Sequence, residues 1–136
     1  MAEVLVDSNV LLDVVTEDPR WFAWSSEALA RCAEEATLVV NPIIFAEVSI
    51  GFDRIEEVDE LLEEVVERAP LPWEAAFLAG KAFVRYRKLG GRGSSTLPDF
   101  YIGAHAAVAG MALLTRDAAR YRTYFPGVRV IAPRPK

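Results

Sequence analysis

The sequence predicts an α/β fold, a three-layer α/β/α sandwich around a mostly parallel central sheet, and three observations carry that reading. Short apolar runs such as residues 3–7 (EVLVD) and 37–40 (TLVV) do not alternate polar with apolar, the pattern of strands buried on both faces. Segments with helical spacing follow these runs and carry helix-start signals. Strands alternating with helices imply parallel pairing through crossovers. The 136 residues fit a single domain spanning 1–136.

In order along the chain, residues 3–7 form the first strand and Ser8 stands as N-cap of a helix running to Val15. After the Asp18-Pro19 break, residues 21–35 read as a second helix and 37–40 as a second buried strand. Asn41-Pro42 is an N-cap followed by Pro at the first helical position, opening a helix that carries Phe45, Glu47 and Ile50 and ends at Gly51. Over residues 53–68, Ile55, Val58, Leu61, Leu62, Val65 and Val66 recur at helical spacing while acidic residues fill the other face, which predicts a helix across that whole span.

Pro70 and Pro72 separate it from a helix over 73–89, which Gly90 and Gly91 close, and residues 90–95 (GGRGSS) make a flexible loop. Thr96-Leu97-Pro98-Asp99 opens a helix thick with small residues, among them Gly103, Ala104, Ala106 and Ala107, which permit close packing on a sheet. Residues 111–115 then read as a buried strand, 117–121 as a short helical turn, and 128–132 (VRVIA) as a last strand before a Pro-rich tail.

Charge is unevenly spread. The net charge of −5 conceals a first part, residues 1–79, with 4 basic and 18 acidic side chains, and a second, residues 80–136, with 11 basic and 2 acidic. The two acids kept in the basic part are Asp99 and Asp117. Taken singly they read equally well as a helix first-turn acid and a turn residue. The longest run without charge, residues 100–115, is too short to span a bilayer, and the acidic, apolar start lacks the basic opening of a secretory signal, so a cytoplasmic location is expected. Cys32 is the only cysteine, which excludes an intramolecular disulfide and a Cys-based zinc cluster. It reads as a small apolar side chain packed on a helix.

In parallel α/β sheets, ligands bind beyond the carboxyl ends of the strands. Asp7 ends the first strand, Glu47 lies in the helix after the second, Asp99 opens the helix feeding the next, and Asp117 follows that strand's end at Thr115, so several of these carboxylates can converge on one edge. Clustered carboxylates repel, by roughly 4 kcal/mol for two unit charges about 4 Å apart at an effective dielectric near 20, so such a site needs a cation. Oxygen donors with no Cys and a single His point to Mg²⁺ or Mn²⁺, whose chemistry suits phosphodiester hydrolysis. Lys81, Arg85, Arg87, Lys88 and Arg92 in one helix and its loop, with Arg116, Arg120 and Arg122 flanking Asp117, would hold the polyanion; a solvated helix face is the plainer reading of the first group.

Four segments, VLVDSNVLLD, NPIIFAEV, LPDFYIGAHA and LLTRD, taken together and in this order, resemble the PIN-domain ribonucleases, in particular the VapC toxins of prokaryotic toxin–antitoxin pairs. The resemblance covers nearly the whole chain, and LPDFYIGAHA is its most specific piece. It implies a PIN-like fold in which Asp7, Glu47, Asp99 and Asp117 surround a Mg²⁺ or Mn²⁺ site, with Thr115 the hydroxyl residue near the metal and Asn9 orienting the Asp7 carboxylate or touching substrate. It further implies endonucleolytic cleavage of RNA, often a tRNA or ribosomal RNA loop, by a metal-activated water. A VapB-like antitoxin that wraps the toxin, and a toxin homodimer, are the partners it implies.

Three other functions compete, and one of them, a phosphoacceptor receiver domain, needs paired acids on the first strand and a Lys late in the fold, neither of which is evident. A haloacid-dehalogenase-like phosphatase would also place Asp at the end of the first strand but wants a second Asp where Asn9 stands. A nuclease-like domain that only binds RNA or a protein partner would gain nothing from four repelling acids. Elsewhere, His105 reads as a buried packing histidine, Asp13 as a solvated helix residue, and Trp21, Trp24 and Trp73 as packing aromatics before base or antitoxin contacts. The acidic face over 53–68 reads as solvated, with an antitoxin or dimer contact as the sharper alternative.

Overall fold

The computed structural model describes residues 2–94 and 96–134. Ser95 of the Gly-rich loop, Pro135 and Lys136 of the Pro-rich tail, and Met1 lie outside the described residues. The chain runs β1 (Ala2–Val6), α1 (Ser8–Val15), α2 (Phe22–Glu35), β2 (Ala36–Val40), α3 (Pro42–Ser49), α4 (Ile55–Leu62), β3 (Glu67–Arg68), α5 (Trp73–Lys88), α6 (Pro98–Ala109), β4 (Ala112–Leu114), α7 (Ala119–Tyr124) and β5 (Val130–Ile131). The described strands form one sheet in the order β3-β2-β1-β4-β5, and every pairing is parallel. This is the α/β/α sandwich expected from the sequence.

The order reverses at β1, from which the chain first winds outward through β2 to β3 and then returns to lay β4 and β5 on the other side. A crevice therefore opens between the carboxyl ends of β1 and β4, the place where open parallel sheets take their ligands. The strands behind it are the core: Leu5, Val6, Val39, Val40, Leu113 and Leu114 are at most 1% exposed, which explains why these runs do not alternate. In α6, Gly103 lets the helix approach α7's far end, since a Cβ there would lie 2.4 Å from a ring carbon of Phe125. Gly110, at φ 67°, closes α6 in the left-handed conformation. No helix among the described residues is long and apolar enough to cross a membrane.

Two local expectations are corrected. The helix predicted over 53–68 ends at Leu62, because the amides of Val65 and Val66 both donate to the Leu62 carbonyl at 3.0 Å and turn the chain. Glu67 and Arg68 then pair with Val39 and Val40 as an edge strand, and Val66 continues the apolar pattern because it is buried in the core, without being helical. At the start of α1 the cap is Asp7, not Ser8. Asp7 has extended backbone angles and its Oδ1 accepts from the Ser8 amide at 2.8 Å.

Candidate active site

The register that pairs Val6 with Leu114 brings the next residue of each strand, Asp7 and Thr115, side by side at the crevice. The Asp7 amide donates to the Leu114 carbonyl at 2.9 Å, and the Thr115 hydroxyl donates to Asp7 Oδ2 at 2.8 Å. Both residues are buried, Asp7 at 4% and Thr115 at 0% exposure. From this pair the other acids are reached through hydroxyl groups. Ser8 Oγ lies 3.0 Å from Glu47 Oε1, to which it donates, and 3.5 Å from Asp7 Oδ1, which joins the start of α1 to the middle of α3. Tyr121 of α7 places its hydroxyl 3.0 Å from Asp7 Oδ2 and 3.3 Å from Asp99 Oδ1, and its single proton is shared between the two carboxylates.

Glu47, Ser8, Asp7, Tyr121 and Asp99 thus form a continuous polar chain. Asp117 stands at its rim: its side chain is exposed, its amide donates to Thr115 Oγ1 at 3.2 Å, and it shares a surface groove with Asp99. The acids are strung out rather than gathered, and among the described residues no group of three or more Asp, Glu, His or Cys is close enough to hold a metal ion as it stands. Their chemistry still fits a hard cation. The donors are carboxylate oxygens, and the acids feel each other's charge. Burial raises the Asp7 carboxyl above its ordinary range and the Asp99 charge adds to this, against hydrogen bonds from Thr115, Tyr121 and Ser8. Glu47 is raised by burial, and by the charges of Asp7 and Asp99, against the Ser8 hydrogen bond. Burial, followed by the neighbouring carboxylates, pushes Tyr121 far above the ordinary phenol range, so it is a permanent donor.

Asn9 acts on Asp7 through Thr115. Its Nδ2 donates to Thr115 Oγ1 at 3.2 Å, and its Oδ1 accepts from the Arg116 amide at 3.3 Å. Of the expected RNA-binding set, Arg85, Arg87, Lys88 and Arg92 are exposed, at the end of α5 and in the loop after it. Arg87 donates to the Gly93 carbonyl at 2.6 Å, and Arg85 lies over the Tyr124 ring at 5.6 Å. Arg116 is already engaged: its Nε is 2.9 Å from Asp13 Oδ2 and its guanidinium lies over Trp21.

Asp13 is therefore not the solvated residue expected from the sequence. It is 2% exposed and also accepts from Ser25 Oγ at 2.7 Å. His105 is buried, as expected, with Nδ1 3.0 Å from Asn41 Nδ2, so Nδ1 is the acceptor. Burial lowers its pKa. Trp73, expected to pack, is 89% exposed beside Phe77 at 65% on the outer face of α5.

Sequence reasoning missed two members of the site. Ser8 follows Asp7 directly and reads as a cap, although its hydroxyl joins two of the acids. Tyr121 stands one helical turn beyond Asp117, a spacing that is a weak signal until the register of β1 and β4 is known.

The sheet thus reverses at its first strand and sets Asp7, and through Tyr121 Asp99, beside the resulting crevice. The family model for the PIN domain matches residues 4–126, and the chain belongs to that family. No curated protein is a significant match. Among solved structures, the chain is similar to VapBC2 from Rickettsia felis bound to a promoter DNA fragment, at TM-score 0.74 and 16% identity over 97% of this chain and 99% of that one. It is also similar to DNA-bound VapBC from Salmonella typhimurium, at TM-score 0.71 and 17% identity over 97% and 98% of the two chains. A toxin–antitoxin complex from Klebsiella pneumoniae aligns at TM-score 0.67 and 20% identity over 94% and 95%.

Proposed function

We propose that this protein is the toxin of a type II toxin–antitoxin pair, a cytoplasmic Mg²⁺- or Mn²⁺-dependent endoribonuclease whose active site is Asp7, Glu47, Asp99 and Asp117. The observation that carries the reading is Asp7: a carboxylate 4% exposed, at the sheet's switch point, surrounded by hydroxyls and by other acids and lacking any ion-pair partner among the described residues. Buried charge of this kind is costly unless a ligand compensates it, and perturbed carboxyls in a crevice mark functional sites. Membership of the PIN family and the likeness to toxin–antitoxin complexes support the same reading.

In this reading Asp7 and Asp99 would hold the cation, together with Glu47 and Asp117. A hard divalent cation bound there would neutralise the acids, polarise a phosphoryl oxygen and make water a better nucleophile. Thr115 and Tyr121 fix the Asp7 carboxylate by donating to Oδ2, and Asn9 fixes Thr115. Glu47, with its carboxyl raised by burial, is suited to take a proton from the attacking water. Arg85, Arg87, Lys88 and Arg92 supply phosphate contacts that lead RNA, such as a tRNA or ribosomal RNA loop, towards the acids. Arg116, anchored on Asp13, is left with part of its guanidinium for such a contact. The exposed apolar strip of Trp73 and Phe77 suits a protein partner, a VapB-like antitoxin or a second copy of the chain.

The test is incubation of the purified protein with total cellular RNA and Mn²⁺ or Mg²⁺, with mapping of new RNA ends. Discrete cuts are expected, absent with EDTA and in Asp7→Asn. Cuts that persist in both controls would overturn the assignment. Metal binding without cuts in any RNA pool would favour a domain that only binds RNA or a partner.

A further inference from the structure

Beside Asp99, a groove of about 400 Å³ runs between α5 and α7, lined by Tyr86, Asp99, Asp117, Arg120 and Tyr124 among others. Two consecutive residues of α7 grip the Asp99 carboxylate, one oxygen each. Tyr121 donates to Oδ1, and Arg120 Nη1 donates to Oδ2 at 3.3 Å. Tyr121 is buried, whereas the Arg120 and Asp99 side chains are 40% and 35% exposed. An ion pair this exposed is weak and its long side chain is free to leave.

The guanidinium also has somewhere to go. It already lies 5.6 Å from the Tyr86 ring centre and 5.9 Å from that of Phe100. Tyr86, Phe100 and Tyr124 stack edge to face on one another at 5.1 to 6.3 Å, the buried Phe100 backing the two tyrosines that line the groove, and Arg85 lies over the Tyr124 ring. Cations rest well on such rings, and the planar fork of arginine suits a phosphate.

We propose that Arg120 is a resident counter-cation of Asp99 that a divalent cation must displace, and that once displaced it holds an RNA phosphate in the groove between α5 and α7. This rests on the metal-dependent ribonuclease reading of the site. It goes further in coupling the two ligands: the metal frees the arginine that binds the substrate, so each ligand favours the other. A cation fixed in place to position Asp99 would do the opposite, since its removal would loosen a metal ligand.

The two roles predict opposite signs in a titration of Mn²⁺ into the RNA-free protein, followed by calorimetry. Arg120→Gln is expected to bind Mn²⁺ about three- to fivefold more tightly than the wild type, the size of a partly exposed ion pair, and Arg120→Lys to stay near the wild type. Unchanged or weaker Mn²⁺ binding in Arg120→Gln, with an unchanged melting curve, would overturn the proposal. Binding of fluorescein-labelled oligo(U) is then measured against salt, with Ca²⁺ to limit cleavage and separately with EDTA. Arg120→Gln is expected to flatten the slope of log K against log salt by about 0.7, one single-strand phosphate contact, in Ca²⁺ but not in EDTA. Equal slopes for both proteins in Ca²⁺ would overturn the phosphate role. Absence of Mn²⁺ binding by the wild type itself would overturn the metal reading and this inference with it, whereas wild-type binding that Arg120→Gln leaves unimproved overturns this inference alone.

Discussion

Two buried aspartates stand six residues apart at either end of α1, and they live in opposite electrostatic conditions. Asp13 is 2% exposed and fully compensated, by the Arg116 guanidinium at 2.9 Å and the Ser25 hydroxyl at 2.7 Å. Asp7 is 4% exposed, receives only hydroxyls and an amide, and faces the charge of Asp99. The first arrangement is a clamp that ties α1 to α2 and to the segment after β4. The second is a buried acid with no cation of the fold beside it among the described residues, the arrangement on which the proposed metal site rests. Burial by itself thus says little about an acid's role, and the presence of a cation within the fold separates the two.

That contrast is open to attack by substitution. The largest effect is expected at Asp7: Asp7→Asn should lose RNA cleavage by at least ~100-fold in a metal-supplemented assay. The same variant should melt higher than the wild type in EDTA, because a desolvated charge is gone; a lower melting point would break the contrast. Asp13→Ala should do the reverse, costing about 2–3 kcal/mol, at the low side for a buried pair because Arg116 is 32% exposed. Its melting temperature should fall by roughly 5–15 °C while metal affinity per folded molecule is kept.

Thr115→Val removes the hydroxyl that donates to Asp7 Oδ2 and should weaken Mn²⁺ binding by about tenfold in calorimetry, with Thr115→Ser restoring it. The smallest effect is in pH dependence. Because the folded Asp7 and Glu47 carboxyls are raised, the folded state holds more protons than the unfolded chain between the ordinary value, 3.8 for Asp, and the raised one. Their cost is absent below that window, grows as pH climbs through it and is fully present above it, so they lower stability as pH rises. Subtracting an Asp7→Asn denaturation series from the wild type should reveal this falling component, and a flat difference would contradict it.

The fold was readable because its signals are local. Asn41 caps α3 through its side chain, with Oδ1 accepting from the Ile44 amide at 2.9 Å, and Pro42 follows at the first helical position, as the dipeptide predicts. The overextended helix over 53–68 failed for a non-local reason. Val65 and Val66 keep helical spacing, but Glu67 and Arg68 are claimed by β2, and Arg68 pairs with Asp59 across the turn. A two-residue edge strand has too little sequence to announce itself.

The sequence by itself determined which acids could build the site, in their order along the chain, the runs that become buried strands, and the charge split that leaves Asp99 and Asp117 among basic neighbours, though not the Ser8 and Tyr121 hydroxyls that join those acids. Period, capping and composition are properties of neighbouring residues, so they survive in one dimension. Only the tertiary structure decided which acid is a clamp and which an open charge. Asp13 meets Arg116 103 positions away, and Tyr121 reaches Asp7 across 114 positions, through a register set by parallel strands. Those contacts depend on how the sheet reverses at β1, and no local pattern encodes the partner that a reversal brings near.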